Sequence, residues 1–308
     1  MNWQDAITEA ADRIAGHVRE TPVMMADSLG LNEPVALKLE HLQHTGSFKA
    51  RGAFNTLLAG PVPDAGLVAA SGGNHGAAVA FAAQALGHPA HIFVPEMAGP
   101  AKIALIRETG AALTVVPGAY SDALFAAETF ERKTGAIQIH AYDAVPTLVG
   151  QGTCMREWEA QGLDADTILI AVGGGGLIGG ALAWLQGRLK VVAVEPETAC
   201  ALHAALNARA RVDVEVSGVA VNSLGAKRIG QLCFDLAQGI TSVTVSDEAI
   251  LAAQSLLWRR MRLLVEPGGA TALAALTSGA YVPKSGERVA VLLCGGNVAP
   301  DPLPNPVV

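Results

Sequence analysis

Short runs of apolar, β-branched residues alternate along this chain with longer Ala-rich stretches whose apolar positions recur at helical spacing. The pattern predicts strands at Val35–Leu39, Leu67–Ala70, His91–Val94, Leu113–Val116, Ile137–His140, Ile168–Val172, Val191–Val194, Ser242–Val245 and Val289–Cys294. Helical patterns fill the intervals at Phe48–Ala59, His75–Leu86, Pro100–Thr109, Tyr120–Thr134, Pro146–Ala160, Leu177–Gln186, Asp247–Met261 and Gly269–Thr277. Strand–helix alternation of this kind predicts an α/β fold of open parallel sheets with helices on both faces. The strands are apolar throughout rather than alternating, as expected when both faces are buried. Soft seams near Pro61–Gly66 and Ala141–Pro146 predict two domains. A small mobile one covers 63–140, inserted into a larger one made of 1–62 and 141–308. The proline-rich end from Val298 reads as a strap or a disordered tail.

Composition narrows the function classes. The 308 residues are 51% hydrophobic and 16% charged, enough for an extensive core. A net charge of -7 offers no basic stripe to phosphodiesters, so nucleic acid is not an expected partner. The four cysteines, Cys154, Cys200, Cys233 and Cys294, are widely spaced without a C-x-x-C pair, which fits a reducing cytoplasm. Met1 to Val18 carries apolar residues at helical spacing but no basic region and apolar core of a signal peptide. Ile168 to Gln186 is uncharged, yet its run of glycines breaks a helix, so a buried strand, turn and helix is expected and a membrane span is not.

Candidate chemistry centres on Thr45-Gly46-Ser47-Phe48-Lys49-Ala50-Arg51-Gly52. It reads as a helix start with Thr45 or Ser47 as N-cap. A lysine there is either an ordinary surface residue or a desolvated amine. The helix dipole and burial would both disfavour its ammonium form, leaving a base and nucleophile. Three Gly-rich turns follow strands, where ligands bind in open α/β sheets. Gly173, Gly174, Gly175 and Gly176 could cup one phosphate on the N–H groups of the following helix, or make only a tight turn. Gly174, Gly176 and Gly179 also match a dinucleotide fingerprint, with Glu195 at the distance of a ribose-binding acid. Ser71, Gly72, Gly73, Asn74 and His75 form a turn rich in N–H donors, suited to a carboxylate or simply a capped helix start with Ser71 or Asn74 as cap. His75 reads as a catalytic base or a satisfied helix-start histidine. Cys294 reads as a reactive thiol, a weak hydrogen-bond partner or inert core. Glu266-Pro267 begins a helix, where the dipole alone accounts for a carboxylate.

Taken together and in this order, these segments resemble the serine/threonine dehydratase branch of the fold-type II pyridoxal-phosphate enzymes, which share a tryptophan synthase β-like fold and include threonine ammonia-lyases, serine dehydratases and serine racemases. The resemblance runs from about Thr21 to Val298 and includes Asn222-Ser223-Leu224-Gly225-Ala226 and Glu266-Pro267. It implies that Lys49 forms the Schiff base with pyridoxal 5'-phosphate, and that Phe48 and Leu177 lie beside the cofactor. Gly173 to Gly176 would hold its phosphate, Asn74 would meet its 3-hydroxyl and Cys294 would face its pyridine nitrogen. Ser71 to His75 would bind the substrate carboxylate. The implied activity is conversion of L-threonine or L-serine to a 2-oxo acid and ammonia. Racemisation, or action on another β-hydroxy amino acid such as 3-hydroxyaspartate, is the alternative; a nicotinamide-dependent oxidoreductase is the remote one. A homodimer is expected from the same resemblance.

Three departures from the family pattern stand out. Racemases carry serine where Gly72 stands, so two-base racemisation is not expected. Relatives that bind a divalent cation use a Glu, a backbone carbonyl and an Asp. Glu195 and Ala199 match the first two, but Ala201 replaces the Asp, so no structural metal is expected. Many relatives have serine at Cys294. No regulatory amino-acid-binding domain follows, so control by isoleucine is not expected.

Overall fold

The computed structural model describes residues 1–96, 98, 100–118 and 120–298, which leaves the tail from 299 outside the described residues. Among the described residues ten strands run in chain order: β1 (Val23–Ala26), β2 (Val35–Lys38), β3 (Leu67–Ala70), β4 (Ala90–Pro95), β5 (Ala112–Val116), β6 (Ile137–Gln138), β7 (Thr167–Ala171), β8 (Lys190–Pro196), β9 (Thr241–Val245) and β10 (Val289–Leu292). The helices are α1 (Trp3–Ile14), α2 (Lys49–Leu58), α3 (Asn74–Leu86), α4 (Pro100–Glu108), α5 (Tyr120–Thr134), α6 (Val145–Ala160), α7 (Gly176–Leu185), α8 (Ala201–Ala208), α9 (Val221–Leu224), α10 (Gln231–Leu236), α11 (Asp247–Met261) and α12 (Pro267–Thr277).

Two separate sheets result. One has the order β1-β2-β10-β7-β8-β9 and the other β5-β4-β3-β6. All pairs are parallel except β1–β2, where Val23 faces Lys38 and Ala26 faces Val35 in antiparallel register. The central strands β3, β7 and β10 are buried along their whole length. Edge strands depart from the expected two-sided burial: β1 exposes Val23, Met24 and Met25, and β5 exposes three of its five residues. An edge has one neighbour only, and its outer side meets water. The uncharged stretch near 168–186 is strand β7, a glycine turn and helix α7. Among the described residues no helix is long and apolar enough to cross a membrane.

The largest apolar cluster packs α6, α7, α11 and α12 against the six-stranded sheet. A second joins α2, α3 and β3, and Phe48, just before α2, packs against the first. A buried ion network ties this region together. Arg51 on α2 pairs with Glu40 at 2.7 Å and with Glu157 of α6 at 2.8 Å, and Lys38 of β2 pairs with Glu157 at 2.6 Å. Lys38, Glu40 and Arg51 are essentially inaccessible to water.

Candidate active site

Lys49 is the first residue of α2, but neither Thr45 nor Ser47 caps the helix. The cap position is Phe48, already helical in backbone (φ -52°, ψ -17°) and without a side-chain cap bond. Thr45 sits at φ 58°, and its hydroxyl, like that of Ser47, is buried without a partner. Backbone pairing sets the helix start instead. Ser47 bridges Gly295, the Phe48 N–H donates to Cys294 O at 3.3 Å, and the Gly296 N–H donates to Gly46 O at 2.8 Å. This pairing hangs the lysine from the end of β10.

The glycine turn Gly173 to Gly176 lines a cavity that Asn74 of the first turn and Cys294, just before the third, also reach. Its lining includes Phe48, Lys49, Asn74, Gly173 to Gly176, Leu177, Ser223, Leu224, Glu266 and Cys294. The Lys49 amine donates to Ala141 O at 2.8 Å and lies 5.0 Å from the centre of the Phe48 ring. The residue as a whole is only partly buried, yet burial around its amine pulls its pKa from 10.5 to about 8, against a smaller opposing pull from Cys294. Of the two causes the sequence suggested, burial is the chief one.

The glycines of the second turn are sterically required. A Cβ at Gly173 would meet the Leu224 backbone at 3.0 Å, and one at Gly174 would collide with the Tyr142 ring. Gly175 has φ 95°, and a Cβ there would reach Cys233 Sγ at 2.5 Å. The chain therefore comes close to its surroundings on all sides, and the first N–H groups of α7 are left for the cavity.

The Ser71–His75 turn is arranged differently from expectation. Gly73 is the cap of α3, and no side chain caps it. Ser71 Oγ accepts from the Gly73 N–H at 3.1 Å. Asn74 instead turns its amide to Glu266 and Asn297, at 2.5 and 2.8 Å. Of this turn, only Asn74 lines the cavity. Gly72 packs toward Val94 and Ala98 with no room for a Cβ. His75 is buried with Nε2 against Ile139 O at 2.8 Å, and burial drives its pKa down to about 3. It is a neutral histidine, weakly basic and with Nε2 committed to a backbone carbonyl.

Cys294 is buried, its thiol pushed up to about 12 by burial and by Glu266, and its Sγ lies 3.5 Å from Gly268 O. Glu266 does more than begin a helix: its carboxylate, almost wholly buried, reaches into the cavity and bonds Asn74. Glu195 does not line this cavity. Its two oxygens accept the N–H groups of Leu202 and His203 at 2.8 and 2.7 Å, and burial raises its pKa to about 8. Ala201 brings no side-chain oxygen to Glu195. Among the described residues no group of three His, Cys, Asp or Glu side chains could hold a metal ion.

Sequence reasoning missed two residues of the connection between β6 and α6. His140 Nδ1 accepts the N–H groups of Tyr142 and Asp143 at 3.2 and 2.9 Å. Tyr142 then covers Gly174 and Gly176. Only the seam near Ala141 hinted at this segment.

Comparison with known proteins agrees with this geometry. A family model described as "Pyridoxal-phosphate dependent enzyme" matches residues 14–295. The chain is 36% identical over 306 residues to a phenylserine dehydratase of Ralstonia pickettii, covering 95% of this chain and 92% of that one. It is 34% identical to an L-threonine ammonia-lyase of Geobacter sulfurreducens, covering 95% and 75%. A maize serine racemase structure superposes with a TM-score of 0.91 at 30% identity, over 96% of this chain and 93% of that one.

Proposed function

Because the chain belongs to the pyridoxal-phosphate dependent enzyme family, we propose that it is an ammonia-lyase that converts L-threonine or L-serine to 2-oxobutyrate or pyruvate plus ammonia. The observation that carries this reading is Lys49: an amine with a pKa near 8, in a cavity lined by the Gly173–Gly176 turn together with Asn74 and Cys294. Pyridoxal phosphate suits those residues. The N–H groups at the start of α7 would take its phosphate, with the glycines keeping side chains out of the way. Lys49 would take its aldehyde, Asn74 would meet its 3-oxygen, and Phe48 and Leu177 would flank it. Cys294, a neutral thiol, would stand at the ring nitrogen without imposing a charge. When bound, the cofactor supplies the electron sink for the bond broken at Cα.

The chain's own residues would do the rest. The Ser71–Gly73 turn would hold the substrate carboxylate through backbone N–H groups. The Lys49 amine, displaced by the substrate, would take the Cα proton. With its pKa near 8, a useful share of Lys49 is neutral at physiological pH, as a base requires. Gly72 offers no hydroxyl on the opposite face, which favours elimination over two-base racemisation. The unit at 63–140 would close over the substrate and exclude water.

Borohydride reduction of the cofactor-loaded protein should place a pyridoxyl label on Lys49. Lys49→Ala should take no label and release no 2-oxo acid from threonine or serine. A label on another lysine, or turnover by that variant near the wild-type rate, would overturn the assignment. A panel of threonine, serine, phenylserine and 3-hydroxyaspartate, read as 2-oxo acid, ranks the substrates.

A further inference from the structure

The side-chain amides at the cavity wall form a chain whose polarity is set from one end. The Thr45 carbonyl can only accept, and Asn297 Nδ2 donates to it at 2.7 Å. The same nitrogen gives its other proton to Asn74 Oδ1 at 2.8 Å. Asn74 is thereby turned so that its Nδ2 faces Glu266, to which it donates at 2.5 Å. Neither end of the Asn74 amide can be reversed without setting oxygen against oxygen or nitrogen against nitrogen. One proton of Asn74 Nδ2 goes to Glu266. The second is left for the cavity that Asn74 lines. The chain also crosses between the two sheets. Asn74 starts α3, beside the four-stranded sheet, whereas Glu266 precedes α12 and Asn297 follows β10 of the six-stranded one.

We propose that Asn297 and Glu266 are positioning residues that act through Asn74, locking its amide with the nitrogen toward the 3-oxygen of the cofactor and joining the two sheet units over the cavity. The proposal rests on the cofactor reading above. The 3-oxygen carries negative charge, so a donor there is favourable and a flipped amide, presenting Oδ1, is repulsive. Both residues are remote in sequence from Asn74 and neither has to touch the cofactor to act.

A double-mutant cycle on cofactor retention tests this without reference to turnover. Asn74→Ala should weaken retention of pyridoxal phosphate by about ten- to a hundred-fold, the range for a hydrogen bond to a charged group. Asn297→Ala should weaken it by about tenfold in the wild-type background and add nothing in the Asn74→Ala background. Glu266→Ala should behave in the same way, while Glu266→Gln, which keeps an acceptor oxygen, should restore most of the loss. With 3-deoxypyridoxal phosphate, which lacks the 3-oxygen, all four variants should match the wild type. No loss in Asn297→Ala and Glu266→Ala, equal losses in both backgrounds, or equal losses with the 3-deoxy compound would overturn the proposal. Failure of the wild type to form an adduct at Lys49 with either compound would instead overturn the cofactor reading, and this proposal with it.

Discussion

Lys49 shows how one side chain can be tuned without a charged neighbour. Its pKa falls because water is removed from around the amine, and Cys294, the one opposing influence, is itself held as a thiol. A neutral amine is the reactive form, so the cofactor-free protein should capture pyridoxal phosphate faster as pH rises, with a midpoint near 8 rather than 10.5. Stopped-flow uptake across that range, read as appearance of the covalent chromophore, checks the position. A midpoint near 10 would mean that the amine is solvated. His75, one residue beyond Asn74, shows the opposite use of burial: its Nε2 is committed to Ile139 O, and the ring stays neutral far into acid.

At the scale of elements, helix α2 is the piece on which the rest depends. It is sandwiched between α3 and α6, and its Arg51 sits in the buried network with Glu40, Glu157 and Lys38. Removing one partner from such a network strands the others in a dry interior. Arg51→Ala should therefore lower stability by about 3–5 kcal/mol, measured as a shift in urea midpoint, and should let burial push the Glu40 carboxyl upward. Elements whose signals are local were legible in the sequence. Helix α11 begins at Asp247 and ends at Met261 as the pattern predicts, because Ser246 caps it and Arg262 stops it in left-handed backbone. Strand β3 likewise spans the expected Leu67–Ala70. Elements that lean on distant partners were not legible. Strand β1 has little pattern of its own and exists by pairing with β2. Helix α8 is held at its start by Glu195, on the strand before it. The same holds within the site. The three glycine turns announced themselves by composition, but Asn74, which bonds Glu266, lies 192 residues away from it. No local window could assign Glu266 more than a helix-start role.

For the whole molecule, acid is the predicted weakness. His41 and His75 are both buried, and burial lowers their pKa values to about 4 and about 3, from 6.5. Below 6.5 the unfolded chain binds protons that the folded chain refuses, so stability should fall as pH drops from about 6.5 toward 4. Urea midpoints over that interval should decline steeply, and less steeply in His75→Gln. A flat profile would show that these rings are solvated. The linkage between the two sheets runs through the same neighbourhood, along the connection from β6 to α6 that carries His140, Ala141 and Tyr142. One consequence of that path concerns inheritance. The Lys49 amine donates to the carbonyl of residue 141, an atom that every amino acid supplies identically. Codon changes at that position can alter the methyl group but not the acceptor. Natural variation can reach this contact only by rerouting the backbone, so aligned relatives could differ freely at 141 and still park the amine in the same way.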